Sequence, residues 1–220
     1  MNYAALVAAI SSYTENTFPT VNMNLFIAQA EKRIYNTVQI PALRKNVTGI
    51  TTASNKYLAC PDDFLSSYSL AAIDPTTGAY AYLLNKDVNF IREAYPTPTS
   101  TGSPKYYALF GPAVASSVIT TELTFLIGPT PDAAYSMELH YYYYPESIVT
   151  ASTTWLGDNY DPVLLYGTLV EAYTYMKGEP DMIALYDGKY KDAMGQLKRL
   201  GDGLERQDSY RSGQARIPVT

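Results

Sequence analysis

The sequence predicts an α+β protein, in which a discontinuous α-helical bundle from the N- and C-terminal segments carries an inserted antiparallel β-module and a flexible C-terminal tail. Near both ends of the chain, apolar residues recur at steps of three and four. Between them, short runs of Thr, Val, Tyr and Leu are punctuated by Gly, Pro and Asn, which is typical of antiparallel strands. We therefore expect a helical module of residues 1–44 and 158–206, a β-module of residues 45–157 and a tail of residues 207–220.

Two apolar stripes predict the N-terminal helices. The first stripe precedes a break at Phe18-Pro19, and the second follows it. We expect Pro41 to end the second helix, because proline cannot continue a helical hydrogen-bond pattern. The stripes contain Tyr3, Leu6, Val7 and Ile10, and then Met23, Ile27, Ala30, Ile34 and Val38.

Two further helices are predicted near the C-terminus. Asp161 is the expected N-cap of the first, with Pro162 at the first helical position, and Gly178 follows its end. The second begins near Pro180 and carries a long apolar seam, typical of a packed helix. The seam consists of Ile183, Tyr186, Tyr190, Ala193, Leu197, Leu200 and Leu204.

The β-module is predicted from alternating apolar and polar residues between turn signals. Turns are expected at residues 74–78 and 128–132, where Gly, Pro and Asp cluster, and a short helix at residues 86–94. A loop rich in Pro, Thr and Ser should follow that helix. The expected strands are residues 47–52, 56–59, 68–73, 105–110, 117–126 and 135–144.

Composition limits the possible functions. The net charge of −5 and the pI of about 4.9 imply no basic surface large enough to make nucleic-acid binding the main function. Cys60 is the only cysteine, which excludes an internal disulfide. The N-terminal residues lack the features of a signal peptide, and the sequence contains no run of eighteen apolar residues. We expect a soluble, unsecreted protein with no membrane contact.

The sequence offers little material for catalysis. His140 is the only histidine, and it lies between Leu139 and Tyr141 in an apolar strand, where a packed or edge position is the simpler interpretation. The carboxylate pairs Asp62-Asp63 and Asp158 with Asp161 are explained by a turn and a helix cap. We expect no enzyme activity, no cofactor and no metal site.

Two features suggest contacts with other chains. Tyr142 and Tyr144 alternate with Tyr141 and Tyr143, so one of the two aromatic faces needs a cover besides the module core. Either a neighbouring subunit or another part of the same chain could bury that face, and the sequence does not decide between them. Gly188 and Gly195 lie seven residues apart opposite the apolar seam, where each costs about 1 kcal/mol relative to Ala. Close approach of another helix, tolerated exposed glycine and local fraying of the helix all remain open.

Five sequence segments follow one another in a recognisable order. They are LACPDDFL, YLLNKDVNFIREAYP, GSPKYYALFG, GPTPDAAYSMELHYYYYP and LLYGTLVEAYTYMKGEPDMIALYDGKYKDAMGQL. In this order they resemble the head-to-tail adaptors of tailed bacteriophages, also called connectors or tail tubular proteins of the A type. The resemblance covers residues 20–200. It implies a ring, usually dodecameric, that docks beneath the portal protein, binds the tail nozzle or other tail proteins and lets DNA pass without specific binding.

The resemblance also implies that the helical module packs between neighbours and that the C-terminal extension reaches along the portal. From residue 196 onward five basic residues face three acidic ones, so this end is locally positive. We expect a virion component at the portal–tail junction, assembled in the host cytoplasm. A head-completion protein, a nozzle subunit and a carbohydrate-binding tail component are the alternatives. The expected interface residues in this end are Arg206, Tyr210, Arg211, Arg216 and Ile217.

Overall fold

The computed structural model describes residues 1–74, 76–111, 113–115, 118–121 and 123–211; for residues 113–121 and 205–211 it describes the backbone alone. The chain divides into two compact units. One contains residues 1–43 and 145–220, and the other residues 44–144. The second boundary lies thirteen residues before the predicted one, because the segment after residue 144 contains two short helices, Ile148–Ala151 and Trp155–Asn159, that belong to the first unit.

The fold is α+β, with a discontinuous helical unit and an inserted β-module. The helices are α1 (Tyr3–Thr14), α2 (Thr20–Thr37), α3 (Val88–Ala94), α4 (Ile148–Ala151), α5 (Trp155–Asn159), α6 (Asp161–Tyr175) and α7 (Pro180–Arg211). The strands are β1 (Arg44–Ile50), β2 (Tyr57–Ala59), β3 (Phe64–Ile73), β4 (Tyr80–Tyr82), β5 (Leu84–Asn85), β6 (Thr101–Gly102), β7 (Tyr106–Phe110), β8 (Ala113–Ala115), β9 (Val118–Thr121), β10 (Thr124–Gly128), β11 (Thr130–Pro131) and β12 (Ser136–Tyr143).

Helix ends in the helical unit differ from the predicted ones at three places. Helix α2 ends at Thr37, and Pro41 instead begins a short 3-10 turn, so the prediction that Pro41 ends this helix was wrong. Asp161 is the first residue of α6, and the cap position is Tyr160, whose side chain makes no capping hydrogen bond. Helix α7 continues to Arg211, five residues into the predicted tail.

Helix α6 lies at the centre of the helical unit and packs against α1, α2 and α7. Gly167 allows close packing there, because a Cβ atom at this position would lie 3.1 Å from the Tyr190 ring and 3.3 Å from the Ala30 Cβ. The predicted seam of α7 is buried at Tyr186, Tyr190, Ala193 and Leu197, together with Met194.

The last turns of α7 do not follow the predicted seam. Leu200 and Leu204 are each 41% exposed, so this part of the prediction was wrong. Gly201 is buried instead, and a Cβ atom there would lie 3.3 Å from the Gln39 carbonyl oxygen. The turn after α2 therefore covers a different side of α7 from the one that Leu200 and Leu204 occupy.

The β-module is built mainly from two four-stranded sheets, with strand orders β1-β12-β3-β4 and β2-β10-β7-β5. The pairing is antiparallel except that β5 pairs with β7, and β11 with β6, in parallel. Leu139 lies between Val47 and Leu70 in the first sheet, and its side chain joins a core that includes Phe125 from the second sheet. The apolar alternation of β12 thus selects the face that enters the core.

Local turn chemistry explains the predicted turn at residues 74–78. The Asp74 side chain accepts hydrogen bonds from the amides of Thr76 and Thr77, at 2.8 Å each, and Gly78 has a φ of +70°. The single strand predicted at residues 117–126 is two strands, β9 and β10, with residue 117 itself outside the described residues. The predicted turn at residues 128–132 contains the short strand β11.

Candidate interaction surfaces

Gly188 and Gly195 lie on the exposed side of α7, opposite the buried seam. A Cβ atom built at either position meets no atom of the described chain within 4 Å. No contact inside the helical unit therefore requires glycine at these positions. Their exposed helix face is open to another chain, and it would allow a helix backbone to approach closely.

A second exposed surface in the helical unit was not predicted. Val21 is 79% exposed and Leu25 is 52% exposed, one turn apart on α2. The buried side of the same helix carries Met23 and Ile27. The four-residue spacing of Val21 and Leu25, displaced from the buried stripe, is the signal that could have revealed this pair.

Tyr142 is only 5% exposed, and its cover comes from the β-module itself. The Arg44 guanidinium donates a hydrogen bond to the Tyr142 hydroxyl, and it lies 4.8 Å from the Tyr142 ring centre and 3.9 Å from that of Tyr68. The second aromatic face of β12 is thus covered at Tyr142 within the chain, one of the two possibilities that the sequence left open. Tyr142 offers little free surface to a partner.

Tyr144 differs from Tyr142, because it is 38% exposed at the end of β12. Three further exposed aromatic side chains lie in the first sheet of the β-module, namely Tyr68, Tyr80 and Tyr82. The Tyr80 hydroxyl donates a hydrogen bond to Glu138 Oε2 at 3.0 Å, which raises the pKa of Tyr80. The first sheet therefore exposes several tyrosine rings to solvent, and the hydroxyl of one of them, Tyr80, is fixed by a hydrogen bond.

His140 occupies a packed position in the middle of β12. Its ring centre lies 5.1 Å from that of Tyr68 in an edge-to-face arrangement. Burial lowers the pKa of His140, and the positive charge of Arg44 lowers it further, so the imidazole is neutral near pH 7.

The described part of the chain holds no group of three or more His, Cys, Asp or Glu side chains that could bind a metal ion. Burial raises the pKa of Cys60 to about 12, so its thiol stays protonated and is a poor nucleophile. Within the same residues, none of the helices is both long and apolar enough to span a membrane.

The predicted tail residues are only partly placed. Arg206, Tyr210 and Arg211 belong to the span of α7, but their side chains are not described. Arg216 and Ile217 lie outside the described residues. Of the predicted interface residues, Gly188 and Gly195 share one helix face, whereas Tyr142 and Tyr144 belong to the other compact unit.

Exposed apolar side chains on a folded α+β chain, such as Val21 and Leu25, are a feature of proteins that assemble with other chains. A search among curated proteins found no match to the chain. The family model described as SU10 adaptor protein matches residues 1–218, so the chain belongs to the SU10 adaptor protein family. It is a structural head–tail adaptor of a bacteriophage virion, and it interacts with other phage head and tail proteins.

Proposed function

We propose that the chain is one subunit of a ring, usually dodecameric in adaptors of the tail tubular protein A type, located between the portal protein and the tail nozzle. The ring gives DNA a passage from the head into the tail, and it is assembled in the host cytoplasm. Membership of an adaptor family supports this position. The observation that carries the ring itself is the open glycine face of α7 in the helical unit.

Neighbouring copies would cover two kinds of surface that the single chain leaves open. At Gly188 and Gly195 a helix of the next copy can come close to the α7 backbone. Val21 and Leu25 leave apolar side chains in water, and burying them in a subunit interface stabilises the assembly by roughly 25 cal/mol per Å² of apolar area. A contact between different faces of identical subunits closes into a ring when the rotation between them allows it.

The acidic composition suits a channel through which DNA moves. With a net charge of −5, the subunit lacks the excess of basic residues that would hold phosphates by counterion release. DNA can then pass without being retained at the channel wall.

The C-terminal residues are proposed to contact the portal. Residues 212–220 follow α7 and include Arg216 and Ile217, one basic and one apolar side chain. Together with Arg206, Tyr210 and Arg211, they would offer a positively charged, partly apolar segment to an acidic portal surface. Nine residues can extend over about 30 Å, enough to reach along a neighbouring protein.

The ring is tested by changing the open glycine face. Gly188→Leu and Gly195→Leu should leave the free chain folded, because nothing lies within 4 Å of either Cβ position. We expect both variants to abolish rings in electron micrographs of the chain mixed with its portal protein. Gly203→Leu is the matched control, since Gly203 is also exposed on α7 with no atom near its Cβ position. Normal rings with Leu at both positions would contradict the proposed interface.

The tail contact is tested separately by removing residues 212–220. Portal binding in a pull-down should weaken, while circular dichroism and thermal unfolding of the chain stay unchanged. Unchanged portal binding after this deletion would exclude residues 212–220 from the portal contact and would not affect the proposed ring. The position of the protein in intact particles, seen by electron microscopy, distinguishes the adaptor from a head-completion protein or a nozzle subunit.

A further inference from the structure

An apolar slot opens between the edges of the two large sheets of the β-module. One wall is formed by β1, at Val47 and Gly49, and the other by β2, at Leu58. Phe125 and Leu139 of the module core form its floor. The slot has a volume of about 110 Å³, and Val47 at its wall is 39% exposed.

The size and lining of the slot suit one aliphatic side chain. A cavity of about 150 Å³ lined by aliphatic and aromatic residues holds a benzene molecule in other proteins. A volume of about 110 Å³ is therefore suited to the branched end of a Val, Ile or Leu side chain. Gly49 leaves the wall open, since nothing lies within 4 Å of the position of its Cβ atom.

The backbone of β1 provides a second element of the same site. Strand β1 stands at the edge of its sheet and pairs with β12 on one side. The Thr51 amide donates to the Tyr135 carbonyl oxygen at 2.9 Å, immediately beyond the strand. Because antiparallel pairing alternates with a period of two residues, Gly49 and Val47 also bond to β12. The backbone groups of Thr48 and Ile50 therefore point toward the open side.

A strand added beside β1 would extend the sheet and cover the mouth of the slot. Successive side chains of a strand point to opposite faces, so every second side chain of the added strand would enter the space between the two sheets. One of these would meet the slot, while the backbone of the added strand pairs with that of β1. This combination of backbone pairing and a side-chain pocket is a known way of binding extended peptides.

The surroundings also define the chemistry of the partner. Residues 46–50 of β1 carry no charge, and Lys45 is held by Asp63 at 2.6 Å. A charged side chain of a segment that pairs with residues 46–50 would find no opposite charge on these residues, and this favours an uncharged segment. The opposite edge of the same sheet, β4, has only the three residues Tyr80–Tyr82, and its residues do not line this slot.

We propose that the β1 edge and the adjoining slot bind an extended, uncharged segment of a partner protein, which adds as a strand and inserts one Val, Ile or Leu side chain between the sheets. The site is formed by residues 44–144 alone. It does not depend on ring formation or on portal binding, so failure of either leaves it intact.

The test uses the full chain and a defined peptide, acetyl-Lys-Thr-Val-Thr-Ile-Thr-Lys-amide, whose Val and Ile share one face when extended. Titration at up to millimolar peptide, followed by two-dimensional ¹H–¹⁵N NMR, should shift the amide resonances of residues 46–50 and of the slot. The same peptide with Asn in place of Val and Ile should bind with an affinity that is lower by roughly tenfold or more. Absence of shifts at β1 with the first peptide would overturn the proposal.

Two variants test the two parts of the site independently. Gly49→Leu fills the slot from within, and Thr48→Pro removes an amide that faces the open edge while keeping the bonds to β12. Each should weaken peptide binding roughly tenfold or more. Tyr82→Pro makes the matched change at the free edge of β4 and should not affect binding. Circular dichroism of each variant verifies the fold.

Two outcomes would contradict the proposed occupant. Peptide binding that survives both Gly49→Leu and Thr48→Pro would show that the slot and edge are not the site. Concentration-dependent self-association of the wild-type chain in sedimentation experiments, abolished by Thr48→Pro, would show that the β1 edge takes a second copy instead of a partner segment.

Discussion

The Glu31 side chain accepts a hydrogen bond from the backbone amide of Ile148 at 2.9 Å. Glu31 is buried on α2, and Ile148 is the first residue of α4, more than a hundred positions later in the sequence. This bond joins the N-terminal part of the helical unit to the segment with which the chain returns from the β-module. It also places a carboxyl group in an apolar environment, where its charged form is costly.

Glu31 should make the stability of the helical unit depend on pH. Burial raises the pKa of Glu31, although the hydrogen bonds from Ile148 and Ser147 oppose that effect. With a folded-state pKa above the unfolded one, the stabilisation is complete below the unfolded pKa and is lost as the pH rises through the folded pKa. We expect the unfolding free energy of the wild-type chain to fall across this range relative to Glu31→Gln.

The measurement is urea unfolding at a series of pH values, followed by the fluorescence of Trp155, the only tryptophan, which lies in the helical unit. Glu31→Gln keeps an acceptor oxygen for the Ile148 amide and should flatten the pH dependence. Glu31→Ala removes the acceptor and should cost about 1–3 kcal/mol at low pH, where Glu31 is protonated in wild type. This cost relative to wild type should shrink as the pH rises and the wild-type chain loses stability. An identical pH profile for wild type and Glu31→Gln would refute this role.

Arg44 should stabilise the β-module by more than an ordinary surface arginine does. Its guanidinium lies 3.9 Å from the centre of the Tyr68 ring and donates a hydrogen bond to the Tyr142 hydroxyl. Arg44→Met removes both contacts and should lower the unfolding free energy by about 1–3 kcal/mol. Arg44→Lys should recover only part of that loss, because an ammonium group cannot stack and donate as a planar group does.

Lys56→Met is the matched control for Arg44, since Lys56 lies 5.6 Å from the centre of the exposed Tyr57 ring. It should change the unfolding free energy by roughly 0.5 kcal/mol or less. The measurement is urea unfolding followed by tyrosine near-ultraviolet circular dichroism. Equal effects of Arg44→Met and Lys56→Met would show that the stacked arrangement contributes nothing special.

The periodicity of α7 predicted which side of the helix is apolar, but not how far its neighbours extend. The buried seam holds from Tyr186 to Leu197, where α6 packs against α7. The apolar pattern continues at Leu200 and Leu204 in the sequence. The neighbour of α7 at this level is the turn after α2, and it contacts α7 at Gly201, on another side of the helix. Whether a side chain is buried depends on the position of a neighbouring helix or turn, and the apolar pattern of one helix does not give that position.

The short helices α4 and α5 were missed because four or five residues show no helical period. Their signals were local: the side chains of Ser147 and Thr154 accept capping hydrogen bonds from the amides of Val149 and Gly157. The sequence also could not show which residues bury the Tyr142 side chain. Alternation assigned Tyr142 to the face away from the core, but the contact with Arg44 follows from strand pairing between residues 98 positions apart.

Two glycines should respond in opposite directions to the same substitution. Gly188→Ala should stabilise the free chain by about 1 kcal/mol, because alanine favours the helix and its Cβ meets nothing within 4 Å. Gly167→Ala should destabilise it by about 1–3 kcal/mol, because the added methyl group presses against the Tyr190 ring and Ala30. Thermal unfolding of the two variants beside wild type measures both effects. A destabilised Gly188→Ala chain would mean that this helix face is not open.

Asp63 should set the acid limit of β-module stability. Burial raises the pKa of Asp63, but hydrogen bonds from Lys45 and Tyr141, at 2.6 Å and 2.8 Å, outweigh it, and the pKa is lowered overall. A lowered folded-state pKa gives stability that is present above the unfolded pKa and lost as the pH falls through the folded one. Asp63→Asn should therefore lower the unfolding free energy of the module near neutral pH. It should also reduce the fall of that free energy as the pH decreases.

The two partners of Asp63 should contribute unequally. Lys45 is about half exposed, so Lys45→Ala should cost only about 0–1 kcal/mol. Tyr141 is buried, and Tyr141→Phe leaves the ring in the core but removes its hydrogen bond to Asp63, which should cost about 1–3 kcal/mol. Urea unfolding from acidic to neutral pH measures both. If Lys45→Ala were as costly as Tyr141→Phe, the exposed ion pair would contribute as much to the stability of the module as the hydrogen bond from Tyr141.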